Sequence, residues 1–234
     1  QRQADAAVFD SADDELRGWI SAVRGRRVPP EPSEQMPELA VPGKHNRFNA
    51  RLAMAAARLL GCSEEALQRG LRGFRGLSQR LEWFAVVEGR RFYNDSASTT
   101  PESTVAGIAS IDGPIWLIAG GKDKGCDLKP IAAAAVRSAR GAAFFGSAAH
   151  RLHEEVAAID GGFPATAVET AAAALRWCFD RSRPGDAIVF SPGCASTDQY
   201  RNYRRRGEEF VALVQSLTGR AARRVASAER LSSD

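Results

Sequence analysis

Long apolar stretches are missing from this 234-residue chain. No run approaches the roughly 18 residues that a membrane-crossing helix requires, so a soluble protein without a membrane partner is expected. Cysteine is scarce: Cys62, Cys126, Cys178 and Cys194 form no C-x-x-C pair and have no closely spaced histidine. That argues against zinc and fits a reducing cytoplasm. Of the three histidines, His150 and His153 stand three apart with no further ligand, too little for a metal site. The phosphate-cradling pattern G-x-x-x-x-G-K-[ST] occurs nowhere in the chain. No basic segment followed by an apolar core opens the sequence, so no export signal is expected. The first residue is Gln1 rather than methionine, which suggests a start within a longer polypeptide.

What is present fits an ordinary folded protein, with 44% hydrophobic and 26% charged residues. The length suits one full α/β domain plus a smaller piece. The net charge of +4 owes much to Arg201, Arg204, Arg205 and Arg206 and to Arg220, Arg223 and Arg224. No aromatic-basic module accompanies them, so they read as solvated helix and tail charges, with no nucleic-acid partner.

Residues 6–27 read as a short strand followed by a helix bearing Leu16, Trp19, Ile20 and Val23 on one face, with Asp10 and Ser11 as cap candidates. Five prolines between Val28 and Pro42 predict an irregular connector. An alanine-rich helix over 50–60 and a second one opened by Ser63-Glu64-Glu65 follow. Three glycines in residues 70–76 break the helical pattern, and a domain boundary is placed there. Beyond it, strand-like runs at 83–87, 91–93, 115–119, 142–145, 165–168 and 187–190 alternate with helical patterns at 101–111, 128–139, 148–159, 169–181 and 203–217. Alternation of this kind predicts an α/β fold with a mostly parallel sheet covered on both faces. Glu88-Gly89-Arg90 is short enough to make the first pair an antiparallel hairpin. The tail, 218–234, has little apolar surface and is expected to be mobile or loosely helical.

Ligands of parallel sheets gather at the carboxyl ends of the strands, which selects three loops. Residues 94–100 offer a carboxylate and several hydroxyls before Pro101 and Glu102, whereas capping a helix needs one hydroxyl. Residues 120–127 place Lys122 and Lys124 among glycines, where a lysine can meet a carboxylate or phosphate; a glycine turn with solvated lysines is the plain alternative. Residues 191–199 are small and polar. Cys194 has no base beside it, so a binding loop is favoured over a covalent nucleophile.

In order and spacing, Pro42-Gly43-Lys44-His45-Asn46-Arg47-Phe48-Asn49, Gln79-Arg80-Leu81-Glu82, Tyr93-Asn94-Asp95-Ser96, Gly120-Gly121 with Asp123-Lys124-Gly125, and Ser191-Pro192 through Ser196-Thr197-Asp198-Gln199-Tyr200 resemble the Mur ligase family. The resemblance runs from about Val41 to Leu217. It implies that residues 1–76 end a central ATPase domain, that 77–217 form a Rossmann-like C-terminal domain which brings in the amino acid, and that 218–234 are a basic tail. The implied activity is ATP-dependent, magnesium-assisted addition of glutamate to UDP-N-acetylmuramoyl-L-alanine through an acyl phosphate, by a cytoplasmic monomer. The family's P-loop, magnesium ligands and carbamylated lysine would lie upstream of this chain. The resemblance further implies that Asn46 and Asn49 lie near adenine, with helix capping as their plain alternative. Arg80 and Asp95 would reach ATP when the C-terminal domain closes. Thr99, Lys124 and Ser196 would hold the glutamate carboxylates, and Tyr203 falls where the family often has phenylalanine. Ala97 and Gln79 depart from a common lysine and histidine. The run Ser98-Thr99-Thr100-Pro101 also resembles a branch that uses L-glutamate, and a noncatalytic nucleotide or amino-acid binding module is the reading from another class.

Overall fold

In the computed structural model, residues 6–10, 13–30, 36–41 and 43–231 are described, with side chains as far as Leu217. The chain divides into two compact units, Gln1–Gly76 and Leu77–Asp234.

In the first unit, β1 (Ala6–Val8) and β2 (Arg26–Val28) pair in parallel, joined through α1 (Asp14–Ile20). The helix is shorter than its pattern predicted, and residues 26–28 are strand instead. Its N-cap is Asp13, whose carboxylate accepts from the Leu16 amide at 3.0 Å, rather than Asp10. Ser11, the other cap candidate, lies outside the described residues. Asp14 and Glu15 in the first turn add favourable charge at the helix N-terminus. After the connector, α2 (Lys44–Leu59) starts at Gly43, whose φ of 99° favours glycine. Ser63 caps α3 (Glu64–Gly73) by accepting from the Ala66 amide at 3.3 Å. The helix ends at Gly73, within the glycine-rich stretch 70–76 where the break is predicted, and runs past Gly70. An interior glycine costs a helix only about 1 kcal/mol relative to alanine, which does not stop a well-capped one.

The second unit is built on a six-stranded sheet in the order β3-β4-β8-β5-β6-β7. Its strands are β3 (Glu82–Val87), β4 (Arg90–Asn94), β5 (Ile115–Gly120), β6 (Ala139–Phe145), β7 (Ala165–Ala167) and β8 (Ala187–Gly193). Only the β3–β4 pairing is antiparallel. Positive φ at both Glu88 (48°) and Gly89 (74°) makes the tight turn whose twist suits a two-residue hairpin. The register of β3 slips between Trp83 and Ala85, at the outer edge of the sheet.

The apolar runs of the sequence become strands buried on both faces. Leu117, Ala119, Phe144 and Val189 face a core closed by Ile108 of α4 (Pro101–Ile108), Ile131 and Ala135 of α5 (Lys129–Ser138), and Leu152 and Val156 of α6 (Ala149–Ile159). Ile118, Phe145, Ile188 and Phe190 face the opposite core, closed by Ala174, Leu175 and Cys178 of α7 (Ala171–Arg181) and Phe210 and Val214 of α8 (Tyr203–Leu231). Phe190 stacks on Phe210 at 4.3 Å between ring centroids. Each such burial contributes about 2 kcal/mol. The helix α8 continues to Leu231, so residues 218–231 are helical. Among the described residues, no helix is long and apolar enough to cross a membrane.

Candidate functional site

Parallel strands deliver the ends of β4, β5 and β8 to one edge of the sheet, and hydrogen bonds tie their three loops together. The Gly193 amide donates to the Ser98 carbonyl at 3.0 Å, and the Lys122 amide to the Ala195 carbonyl at 2.7 Å. Gly121 permits this closeness, and Gly120 permits a similar approach of β6. A Cβ at Gly120 would sit 2.1 Å from the Phe145 carbonyl oxygen, and one at Gly121 2.4 Å from that of Ala195.

Arg206 locks the assembly from α8. Fully buried, its guanidinium donates from Nε to Ser96 Oγ at 3.1 Å, from Nη2 to the Ser96 carbonyl at 2.8 Å and from Nη1 to the Cys194 carbonyl at 2.9 Å. Burial lowers its pKa to about 10, against the nearby Asp198 and Tyr200. The arginine cluster of residues 201–206 is therefore not wholly solvated, as its composition predicted. Arg206 shares the stripe of Phe210, Val214 and Leu217, spaced by four, four and three, and that spacing was the signal that could have marked it as inward-facing.

The hydroxyls of residues 94–100 separate into those with partners and one without. Ser96 Oγ donates to the Tyr203 carbonyl at 2.8 Å. Ser98 Oγ donates to Asp95 Oδ2 at 2.6 Å, and Ser191 Oγ to the same oxygen at 2.7 Å. Thr100 caps α4, and its amide donates to Ser103 Oγ at 3.4 Å. Thr99 is exposed, and its hydroxyl has no hydrogen bond among the described residues. The Lys124 ammonium is likewise exposed and unpaired, and the Ser196 hydroxyl has no partner although the residue is buried. Tyr203 opens α8 with its ring partly exposed.

Asp95 is only 4% exposed, and both its oxygens are engaged, Oδ1 by the Leu81 amide at 3.0 Å. Burial raises its pKa above the usual carboxylate range, against the three hydrogen bonds that favour the charge. Asp95 is thus not presented to solvent, whereas Arg80 is. Arg80 stands between Gln79 (φ 61°) and Leu81 (φ 46°), two left-handed residues. Glu82 holds the first by accepting from the Gln79 amide at 2.8 Å, and Asp95 holds the second. Such backbone strain costs about 1–3 kcal/mol per residue and persists only where the surroundings enforce it. Nothing in the residue types of 79–82 announced it. Gln79 is buried, and its Oε1 has no hydrogen-bond partner.

In the first unit, Asn46 and Asn49 lie within α2 and three residues apart, neither at the N-cap. Cys194 is buried and its thiol is pushed up to about 12, which disfavours a nucleophilic thiolate. Among the described residues, no three or more His, Cys, Asp or Glu side chains group in a way that could hold a metal ion.

Residues 79–194 match the family of the Mur ligase glutamate ligase domain. The chain belongs to the Mur ligase family. It is 36% identical over 180 residues to the UDP-N-acetylmuramoylalanine--D-glutamate ligase of Solibacter usitatus, covering 77% of this chain and 40% of that protein. It is 40% identical to the enzyme of the same name from Nitrosospira multiformis, over 77% of this chain and 38% of that one. The chain thus spans about two fifths of these curated Mur ligase relatives. The fold recurs in MurF from Acinetobacter baumannii, with a TM-score of 0.67 at 17% identity over 94% of this chain and 52% of that one. Folylpolyglutamate synthase of Mycobacterium tuberculosis gives 0.66 at 14% identity, over 89% of this chain and 55% of its own. The Rossmann-like mostly parallel sheet expected of a C-terminal Mur ligase domain is the one observed.

Proposed function

We propose that this chain is the amino-acid-binding portion of an ATP-dependent ligase that adds D-glutamate to UDP-N-acetylmuramoyl-L-alanine in peptidoglycan precursor synthesis. One observation carries the reading. At an edge where Ser96, Ser98, Thr100 and Ser191 spend their hydroxyls internally, Thr99, Lys124 and Ser196 keep two hydroxyls and an ammonium without partners among the described residues, a set suited to a dicarboxylate. The names of the relatives favour the D enantiomer over L-glutamate. Residues 1–76 are assigned to the end of the central ATPase domain and 77–217 to the glutamate-binding domain.

ATP would phosphorylate the carboxylate of the UDP-sugar substrate, and the glutamate amine would displace phosphate from the acyl phosphate, forming the amide. Thr99, Lys124 and Ser196 hold the carboxylates and so aim the amine. Tyr203 flanks the same edge. Arg80 adds positive charge near the phosphates or ribose, and Asp95 serves it by fixing Leu81. Asn46 and Asn49 offer side-chain amides to adenine. Magnesium would accompany ATP; the described residues hold no cluster of three or more His, Cys, Asp or Glu side chains for a metal ion. The enzyme is assigned to the cytoplasm as a monomer.

In the full polypeptide, Lys124→Ala should raise the KM for D-glutamate by about 10-fold or more, the worth of a lost charge-assisted hydrogen bond, and leave that for ATP unchanged. Equal effects on both substrates would indicate a folding or closure defect instead. No effect would remove Lys124 from the site.

A further inference from the structure

Lys124 stands on the crest of residues 123–126, and one guanidinium holds both ends of that crest. Arg151 reaches across from α6, donating from Nη1 to Asp123 Oδ2 at 2.5 Å and from Nη2 to the Cys126 carbonyl at 3.2 Å. The other carboxylate oxygen, Oδ1, accepts from the Gly125 amide at 2.8 Å and closes the turn beneath Lys124. Gly125 has a φ of 73°, which lets the chain reverse there. The Asp123 amide in turn donates to Ser147 Oγ at 2.9 Å, and Ser147 Oγ donates to the Gly121 carbonyl at 3.3 Å. These anchors fall on residues 121, 123, 125 and 126, the Lys122 amide adds its bond to the Ala195 carbonyl, and the Lys124 side chain is left unattached.

A lysine is a flexible point charge, and ordering its stem to meet a ligand costs conformational entropy. Fixing the backbone beneath it removes part of that cost before the ligand arrives. The task suits arginine, because a planar fork can serve a carboxylate and a carbonyl at once and a single ammonium cannot. Arg151 holds the Asp123 carboxyl below the usual carboxylate range, which keeps the pair charged.

We propose that Arg151 is a positioning residue for the amino-acid site: by bridging Asp123 and the Cys126 carbonyl, it fixes the backbone from which Lys124 reaches a carboxylate of the incoming amino acid. The proposal rests on the assignment of Lys124 to glutamate made above. It goes further by naming a residue on α6, distant from Lys124 in sequence, that sets glutamate affinity without touching the substrate.

The test uses the full polypeptide and the variants Arg151→Met, Arg151→Lys, Lys124→Ala and the double variant Arg151→Met with Lys124→Ala. Arg151→Met should raise the KM for D-glutamate by about fivefold, the scale of one partly exposed ion pair, and leave the KM for ATP unchanged. Arg151→Lys should not restore it, since charge alone does not span both acceptors. In the Lys124→Ala background, Arg151→Met should add nothing, an outcome that a general loss of stability would not give. Amide exchange read alongside should quicken at Gly125 and stay unchanged at Leu117 in β5. The proposal is overturned if Arg151→Met leaves glutamate KM unchanged, raises both KM values alike, or keeps its full effect in the Lys124→Ala background. If Lys124→Ala itself has no effect on glutamate KM, the parent assignment falls and this one with it. If Lys124→Ala acts and Arg151→Met does not, only the positioning role is lost.

Discussion

The two compact units bury their apolar residues to very different degrees. In residues 77–217 a six-stranded sheet is covered on both faces, and Phe92, Leu117, Phe144, Phe190 and Phe210 have no accessible surface. Among the described residues, the first unit has a two-stranded sheet, and its buried apolar residues are Ala50, Met54, Ala55 and Leu67. Trp19 remains 67% exposed and Leu60 85%. A two-stranded sheet is marginal by itself, and a parallel one normally requires cover on both faces. The comparison teaches that element content does not measure self-sufficiency: α2 and α3 are well-formed helices with few apolar side chains to close against.

The largest expected effect is separation of the units. Residues 77–217 expressed alone should unfold in one cooperative transition, and residues 1–76 alone should show none, as read by circular dichroism on heating. A cooperative transition in the smaller piece would break the comparison. Next, Phe190→Ala should cost the larger unit about 3–5 kcal/mol in denaturant unfolding, because it opens a cavity between stacked rings. Trp19→Ala in the smaller unit should stay within about 0.5 kcal/mol, as for an exposed position. A loss smaller than that of Phe190→Ala sharpens the contrast inside the larger unit. Arg206→Met should cost about 2 kcal/mol by leaving the Ser96 and Cys194 carbonyls without donors. A variant as stable as the parent would mean that water replaces the guanidinium.

The strands of the larger unit were legible because a parallel sheet buries both faces, which turns each strand into a short continuous apolar run such as Ile188-Val189-Phe190. The three ligand loops followed from the position of strand ends alone. What the sequence hid were interactions between distant residues. Arg206 looked like its neighbours Arg204 and Arg205 because charge type carries no facing, and only its register with Phe210 set it apart. The left-handed Gln79 and Leu81 were invisible because Glu82 and Asp95 enforce them after folding. The division of hydroxyls in residues 94–100 was equally hidden. Four look alike in a string, and only the tertiary hydrogen bonds show which of them Thr99 outlasts.

The slipped register of β3 bears on how the sheet behaves in a crowded solution. An open sheet has two margins whose unpaired amides and carbonyls can recruit a strand from another molecule, the route to fibrous aggregation. Here one margin is β7, only three residues long. The other is β3, where the slip between Trp83 and Ala85 interrupts the row and the Trp83 indole N–H occupies the Ala85 carbonyl at 3.2 Å. Trp83 and Val86 are the sticky side chains of that margin, both more than half exposed. The interrupted margin offers a second copy no straight, unbroken ladder on which to dock.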